Sequence, residues 1–240
     1  MKNTELIERL LKFNLTRQEA ILYVCLWENG NLTGYEAAKI SGISRSNVYS
    51  SLNLLVEKGA AYLSEGTTQV YKAIEPQEFL SNKLKELRED GEYIIQSLPR
   101  KERVRSGYFT IQGHTHIRNK IFHMIKSSEK RLYFLAEAEI ISEYAELLRE
   151  KKEKGLKIVL MSNRDFSKEA TVFYPDDPEV GQIRLITDSQ YVLTGELSGK
   201  SQDTCLYSEQ ENLVIVMKDA LRSRMRLLEL KGTERNKEYD

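Results

Sequence analysis

An α+β protein of two domains is what this sequence predicts: a winged helix-turn-helix, then a dimerisation helix, then a mixed α/β sheet domain. Three observations carry that expectation. Residues 33–59 (TGYEAAKISGISRSNVYSSLNLLVEKG) hold two helical runs around a glycine-marked turn, and two short strand-like runs follow at once. Residues 77–98 space their apolar side chains by alternating fours and threes. From Tyr108 onward, strand-length apolar runs alternate with amphipathic ones of helical length, the pattern of a sheet covered by helices. The expected boundaries are 1–75 for the winged helix, 76–99 for the helix and 106–232 for the sheet domain.

At 240 residues, each of two domains has enough chain to bury its own core. The 36 basic and 36 acidic side chains cancel, so no global positive field draws in a polyanion, and any DNA contact must rely on a local patch. The chain shows neither a signal peptide nor a long uncharged apolar run, which predicts a soluble, cytoplasmic protein with no membrane partner. Two cysteines make no disulfide framework, and Cys25, among Ile21, Leu22 and Leu26, reads as core. His114, His116 and His123 have no Cys or carboxylate at a ligand-like spacing, so neither a metal nor any other cofactor is expected.

Taken in order, residues 5–13 form an amphipathic helix with Leu6, Leu10 and Phe13 on one side. Thr16 and Glu19 make a capping box for a broadly apolar helix over 17–28 that ends at Asn29-Gly30. Thr33 and Glu36 repeat the device for a helix over 35–40, which stops at Gly42. Ser44 caps the next helix, 45–58, closed by Gly59. Val48, Leu52, Leu55 and Val56 form its buried stripe. Its other face opens with Arg45, Ser46, Asn47, Tyr49, Ser50 and Asn53, a donor-rich surface suited to the major groove of double-stranded DNA. Strands over 60–63 and 69–73 form the wing, whose tip carries Glu65 and no Lys or Arg and so adds little phosphate binding. Candidate DNA contacts are Arg45 and Asn47 on base edges, and Ser46, Tyr49 and Ser50 on bases or phosphates. Lys58 and Lys72 supply local positive charge, and Thr33 joins the set at the start of the first helix of the pair.

Pro76 suits the first turn of the connecting helix. Its seam, Leu80, Leu84, Leu87, Gly91, Ile94 and Leu98, has coiled-coil spacing and predicts a homodimer. Gly91 costs that seam about 1 kcal/mol of helix propensity. Residues 101–105 are a charged linker. The second domain is expected to have strands over 108–112, 132–136, 157–161, 183–187, 191–194 and 204–207. Helices are expected over 115–126 and 140–154, and residues 173–181, with two prolines, as a loop. Ser208 and Glu211 form a capping box for a last helix to about Leu230, and residues 231–240 are expected to fray. Ligands of open α/β sheets bind beyond the carboxyl ends of strands. That rule selects His114, Glu137, Asn163, Arg164 and Asp188 as candidates for a small polar effector, with Arg164 and the helix start at Thr115 suited to an anion. Helix-capping duties are the competing reading of the same residues.

The run LTRQEAILYVCLWENGNLTGYEAAKISGISRSNVYSSLNLLVEKGAA resembles the N-terminal domain of the TrmB family of archaeal and bacterial transcriptional regulators. It carries the family's L-T-x-x-E-A…Y opening, its A…S-G-I-x-R-x-x-V-Y-x-x-L pattern and its L-x-x-K-G ending. The resemblance implies DNA-binding transcription control with a sugar or other metabolite as effector. The second half is similar in its order of elements to the phospholipase-D-like domain that many such regulators carry. Enzymes of that superfamily need H-x-K-x4-D, in which the His attacks phosphorus and the Lys binds phosphate. His114-Thr115-His116-Ile117-Arg118-Asn119-Lys120 lacks a Lys two residues after a His, so no catalytic residues carry over and no enzyme is expected. The alternatives are an effector-independent architectural DNA binder and, behind it, a phosphodiesterase or nuclease.

Overall fold

Two units make up the chain, Met1–Lys101 and Glu102–Asp240. The structure, a computed structural model, describes residues 2–64, 66, 68–99, 107–199 and 202–237, with side chains from residue 4 to residue 230 of that set. The expected linker at 101–105 and the wing-tip residue Glu65 lie outside the described residues.

The first unit runs α1 (Lys2–Leu11), α2 (Arg17–Asn29), β1 (Leu32–Thr33), α3 (Gly34–Ser41), α4 (Arg45–Glu57), β2 (Ala61–Ser64), β3 (Val70–Ala73) and α5 (Pro76–Ser97). Both predicted capping boxes are complete, Thr16 with Glu19 and Thr33 with Glu36. Gly42 takes the left-handed conformation that ends α3. Leu22 of α2 and Val48, Leu52 and Leu55 of α4 are fully buried. Each such side chain contributes about 1.5–3 kcal/mol of burial, which fixes α4 against α2 and leaves its opposite face outward. β1 was not expected. Its two residues pair Leu32 with Tyr71 and Thr33 with Val70, completing a three-stranded sheet of order β1-β3-β2. A two-residue run has no periodicity to read, so only the pairing reveals it.

The seam of α5 divides in two. Phe79 is buried, its ring centroid 5.6 Å from that of Tyr23, and Leu80 packs against the same core. Leu80 is thus partly covered by its own unit, unlike the leucines and isoleucine that follow it in the expected dimer seam. Leu84, Leu87, Ile94 and Leu98 are more than half exposed.

The second unit runs β4 (Tyr108–Gln112), α6 (His114–Ser127), β5 (Arg131–Leu135), α7 (Ala138–Ser142), α8 (Ala145–Glu153), β6 (Lys157–Ser162), β7 (Val172–Pro175), β8 (Gln182–Thr187), β9 (Tyr191–Glu196), β10 (Thr204–Ser208) and α9 (Glu211–Lys237). Its sheet has seven strands in the order β4-β10-β9-β8-β5-β6-β7. β5, β6 and β7 are mutually parallel, and the other neighbours are antiparallel. The main core, built around Ile117, Ile121, Phe134, Ile158, Leu160 and Leu185, lies on one face under α6 and α8. On the other face Val214 and Leu221 of α9 cover Leu135, Met161, Ile186 and Val192. The mixed α/β sheet domain expected from the sequence is present.

Four details differ from expectation. β7 overlaps the start of the stretch expected to be a loop. Its Pro175 is tolerated because β7 is an edge strand, where a missing N–H breaks no ladder. The helix expected over 140–154 is two helices, because Tyr144 turns inward at the break and donates its hydroxyl to the Arg118 carbonyl at 3.2 Å. Ser208 is not a helix cap. It ends β10, donates to the Gly107 carbonyl and accepts from the Gln210 N–H, and α9 starts at Glu211. The backbone of α9 continues to Lys237, past the expected end at Leu230.

Candidate nucleic-acid interface

α3 and α4 meet through a close contact between the Tyr49 ring and Gly34. A Cβ there would lie 2.4 Å from Cε1 of Tyr49, so the Tyr49 ring rests directly on the Gly34 backbone. The close approach sets the crossing of the two helices and anchors the phenol, which stays 42% exposed. Tyr71 of the wing donates its hydroxyl to Asn53 Oδ1 at 3.1 Å. Burial, and then the nearby Tyr49 phenol, push the Tyr71 hydroxyl above its usual pKa.

The start of α4 is unlike those of α2 and α3. Ser44 occupies the N-cap position as expected, but its side chain makes no capping hydrogen bond and lies 3.5 Å from the Ser46 hydroxyl. No acidic residue stands in the first turn, and Arg45 occupies its first position. A cation at the positive end of a helix is the unfavourable arrangement for stability. Arg45 is instead steadied by the Tyr35 ring, with its guanidinium carbon 4.6 Å from the ring centroid. Arg45, Ser46, Asn47, Tyr49 and Ser50 are all exposed. The side chains of Asn47 and Ser50 have no hydrogen-bond partner among the described residues. Lys72 is exposed on β3, opposite Tyr62 in the wing.

Two expected DNA contacts are occupied elsewhere. Lys58 Nζ lies 2.6 Å from Glu19 Oε2, a carboxylate whose side chain is 1% exposed. The same oxygen accepts the Thr16 N–H at 2.7 Å, and Oε1 has no partner. Lys58 therefore neutralises a buried acid and ties the end of α4 to the start of α2, so its ammonium is not free for phosphate. The Thr33 hydroxyl accepts from the Glu36 N–H and donates to its carboxylate, and the cap uses it fully. Sequence reading missed Tyr35, because an exposed aromatic near a helix start has no periodic signature until its neighbour is known.

In the second unit the expected effector residues do not converge. β8 runs antiparallel to β5, so Asp188 lies at the opposite end of the strands from Glu137 and Asn163. Its carboxylate accepts the N–H groups of Glu129, Lys130 and Arg131, pinning the β8–β9 turn to the start of β5. His114 follows β4, five strands from β6, roughly 24 Å of sheet width from Asn163. Its Nδ1 lies 3.2 Å from Asp203 Oδ2. Burial alone would raise the Asp203 carboxyl, but hydrogen bonds from Ser198, His114 and Gly199 outweigh it and hold the group below its usual range. Asn163 Oδ1 accepts the Ala138 N–H at 2.9 Å, and Glu137 Oε2 accepts the Gly181 N–H at 2.7 Å. The helix start at Thr115 belongs to α6, beside His114, and so is equally remote from Arg164. Arg164 lines a cleft of about 370 Å³, with Ser142, Asp165, Ser167, Lys168 and Glu169 among its walls. Its guanidinium donates to the Ser142 hydroxyl and lies over the Phe166 ring.

The α3–α4 pair packed with α1 and α2, followed by the β2–β3 hairpin, defines the first unit as a winged helix-turn-helix. Residues 10–77 match the family described as "Sugar-specific transcriptional regulator TrmB", and this unit is a TrmB-family domain. Over 175 residues the chain is 27% identical to the "Uncharacterized protein YrhO" of Bacillus subtilis (strain 168), covering 72% of this chain and 64% of that protein. Over 168 residues it is 26% identical to the "HTH-type sugar sensing transcriptional regulator TrmBL1" of Pyrococcus furiosus, covering 68% and 49%. The chain thus spans 64% and 49% of the length of these curated relatives. Among solved structures, TrmBL2, titled an archaeal chromatin protein with a novel mode of DNA binding, gives a TM-score of 0.44 at 17% identity over 94% of this chain and 99% of that one. The phospholipase D family member Nuc from Salmonella typhimurium gives 0.40 at 13% identity over 50% and 95%. Among the described residues, no helix is long and apolar enough to cross a membrane.

Proposed function

We propose that the chain is a homodimeric, sequence-reading regulator of transcription, with α4 entering the major groove of double-stranded DNA. The observation that carries this reading is the outward face of α4: exposed donors and acceptors at an N-terminus with no side-chain cap and no acid. The exposed Leu84, Leu87, Ile94 and Leu98 of α5 support pairing of two chains, since an apolar strip of that spacing is covered by a second copy in a coiled coil. Catalysis has no place in this reading. The residues two positions after the three histidines are His116, Arg118 and Ile125, so the H-x-K motif of the phospholipase-D-like enzymes is missing.

The proposed effector is a small anionic metabolite, such as a sugar phosphate, in the cleft between Arg164 and Lys168. The internal use of His114, Glu137, Asn163 and Asp188 favours a second reading, an architectural DNA binder with no effector. Selection of bound sequences from random duplex DNA tests both. An inverted repeat with half-site centres about 34 Å apart, or a multiple of that, is the expected result. Recovery of sequences without enrichment would overturn sequence reading. Repeating the titration with sugars, sugar phosphates and nucleotides separates the two readings. An effector changes DNA affinity about tenfold, a typical allosteric coupling, and loses its effect in Arg164→Ala. A panel without effect leaves the architectural reading.

A further inference from the structure

We propose that Tyr35 is a specificity-determining positioning residue, which holds the Arg45 guanidinium in place to read a guanine. The inference rests on the reading of α4 as the groove-entering helix, and goes beyond it by naming the base and the residue that selects it.

Tyr35 is the second residue of α3, and Arg45 is the first of α4. Their side chains meet across the turn, with the guanidinium carbon 4.6 Å from the ring centroid. Tyr35 is 53% exposed, so the contact is not a by-product of core packing. Arg45 has no carboxylate partner among the described residues, and no acid stands in the first turn of α4. Among the described residues, the ring is the partner that restrains it. A guanidinium held over a ring face is attracted by the ring's charge distribution, and its N–H groups stay available to a base edge. A planar, bidentate donor fork matches O6 and N7 of guanine, whereas adenine presents a donor at the corresponding position. A freely rotating Arg45 would lose more rotamer freedom on reaching the base and would meet a phosphate as easily. The contact with the ring therefore converts a general cation into a reader of one base. Beside this pair the Tyr49 ring of α4 packs closely on Gly34 of α3, a second contact between the same two helices.

The test is selection from random duplexes, followed by titration on the best site, for the wild type and for Tyr35→Ala, Tyr35→Phe, Arg45→Ala and the double variant Tyr35→Ala/Arg45→Ala. The wild type is expected to require guanine at one position in each half-site. Arg45→Ala abolishes that requirement. Tyr35→Ala weakens it two- to fivefold, equivalent to about 0.5–1 kcal/mol for an exposed cation–π pair, and leaves other positions unchanged. Tyr35→Phe retains it, because the ring and not the hydroxyl does the holding. In the double variant, Tyr35→Ala adds nothing further. Three results would overturn the inference while sparing DNA reading by α4: a preference set by Arg45 that Tyr35→Ala leaves intact, a loss spread evenly over all positions, or a Tyr35→Phe variant as impaired as Tyr35→Ala. A wild type with no sequence preference overturns both.

Discussion

On the outer face of α4, Asn47 and Ser50 have no side-chain partner among the described residues, whereas at the strand ends of the sheet Asn163 and Asp188 bind backbone N–H groups. The residue types on the two surfaces are much the same, and both were candidates for ligand contact. Their physical situations differ. A polar group that already has a protein partner has exchanged water for that partner, and removing it strands a donor or acceptor at about 1–3 kcal/mol. A polar group facing only water contributes little to folding and stays available to a ligand. The first unit keeps such groups along one helix. The second unit spends most of them on holding turns and helix starts, with Arg164 and Lys168 at the margin of a cleft.

Lys58 is the sharpest place to break this comparison, since it was counted as a surface cation and is in fact half of an ion pair. Lys58→Ala leaves the Glu19 carboxylate buried and unpaired, and is expected to cost on the order of 3 kcal/mol in denaturant unfolding of the winged unit. Adding Glu19→Gln should restore much of that loss. A Lys58→Ala protein of unchanged stability but weaker affinity for every DNA sequence would return Lys58 to the phosphate-contacting set.

Asp203 makes the corresponding test in the second unit. It is 3% exposed and accepts from the Ser198 N–H and hydroxyl, the Gly199 N–H and the His114 ring. Asp203→Ala should cost about 2 kcal/mol, within the range for stranded buried donors. Because the folded carboxyl titrates below its unfolded value of about 3.9, its contribution is complete above that pH and disappears as pH falls through the folded value. Asp203→Asn should thus be destabilised at neutral pH and show a shallower loss of stability on acidification. Equally steep acid limbs in the two proteins would show that Asp203 carries no such linkage.

The smallest stability effect belongs to Asn47. Asn47→Ala should change folding stability by no more than about 0.5 kcal/mol, as expected for an exposed side chain without a partner. DNA discrimination should nevertheless fall by about 1–3 kcal/mol at one base pair. A large stability loss in thermal unfolding would mean that Asn47 has an internal role, like Asn163.

Local chemistry was legible in the sequence wherever neighbours along the chain settle it. The capping boxes at Thr16 and Thr33, the left-handed stop at Gly42, the buried stripe of α4 and the alternation of strands and helices all rest on contacts a few residues apart. Partners distant in sequence were decided only by the tertiary structure. Lys58 reaches Glu19 across 39 residues, His114 reaches Asp203 across 89, and Asp188 caps backbone 57–59 residues away. The direction of β8 relative to β5 put Asp188 at the other end of the strands, and strand direction is set by pairing that no short window of sequence contains. The same is true of Tyr35 and Arg45: each is an ordinary exposed residue in its own helix, and only the turn that folds α3 against α4 sets the ring beneath the guanidinium.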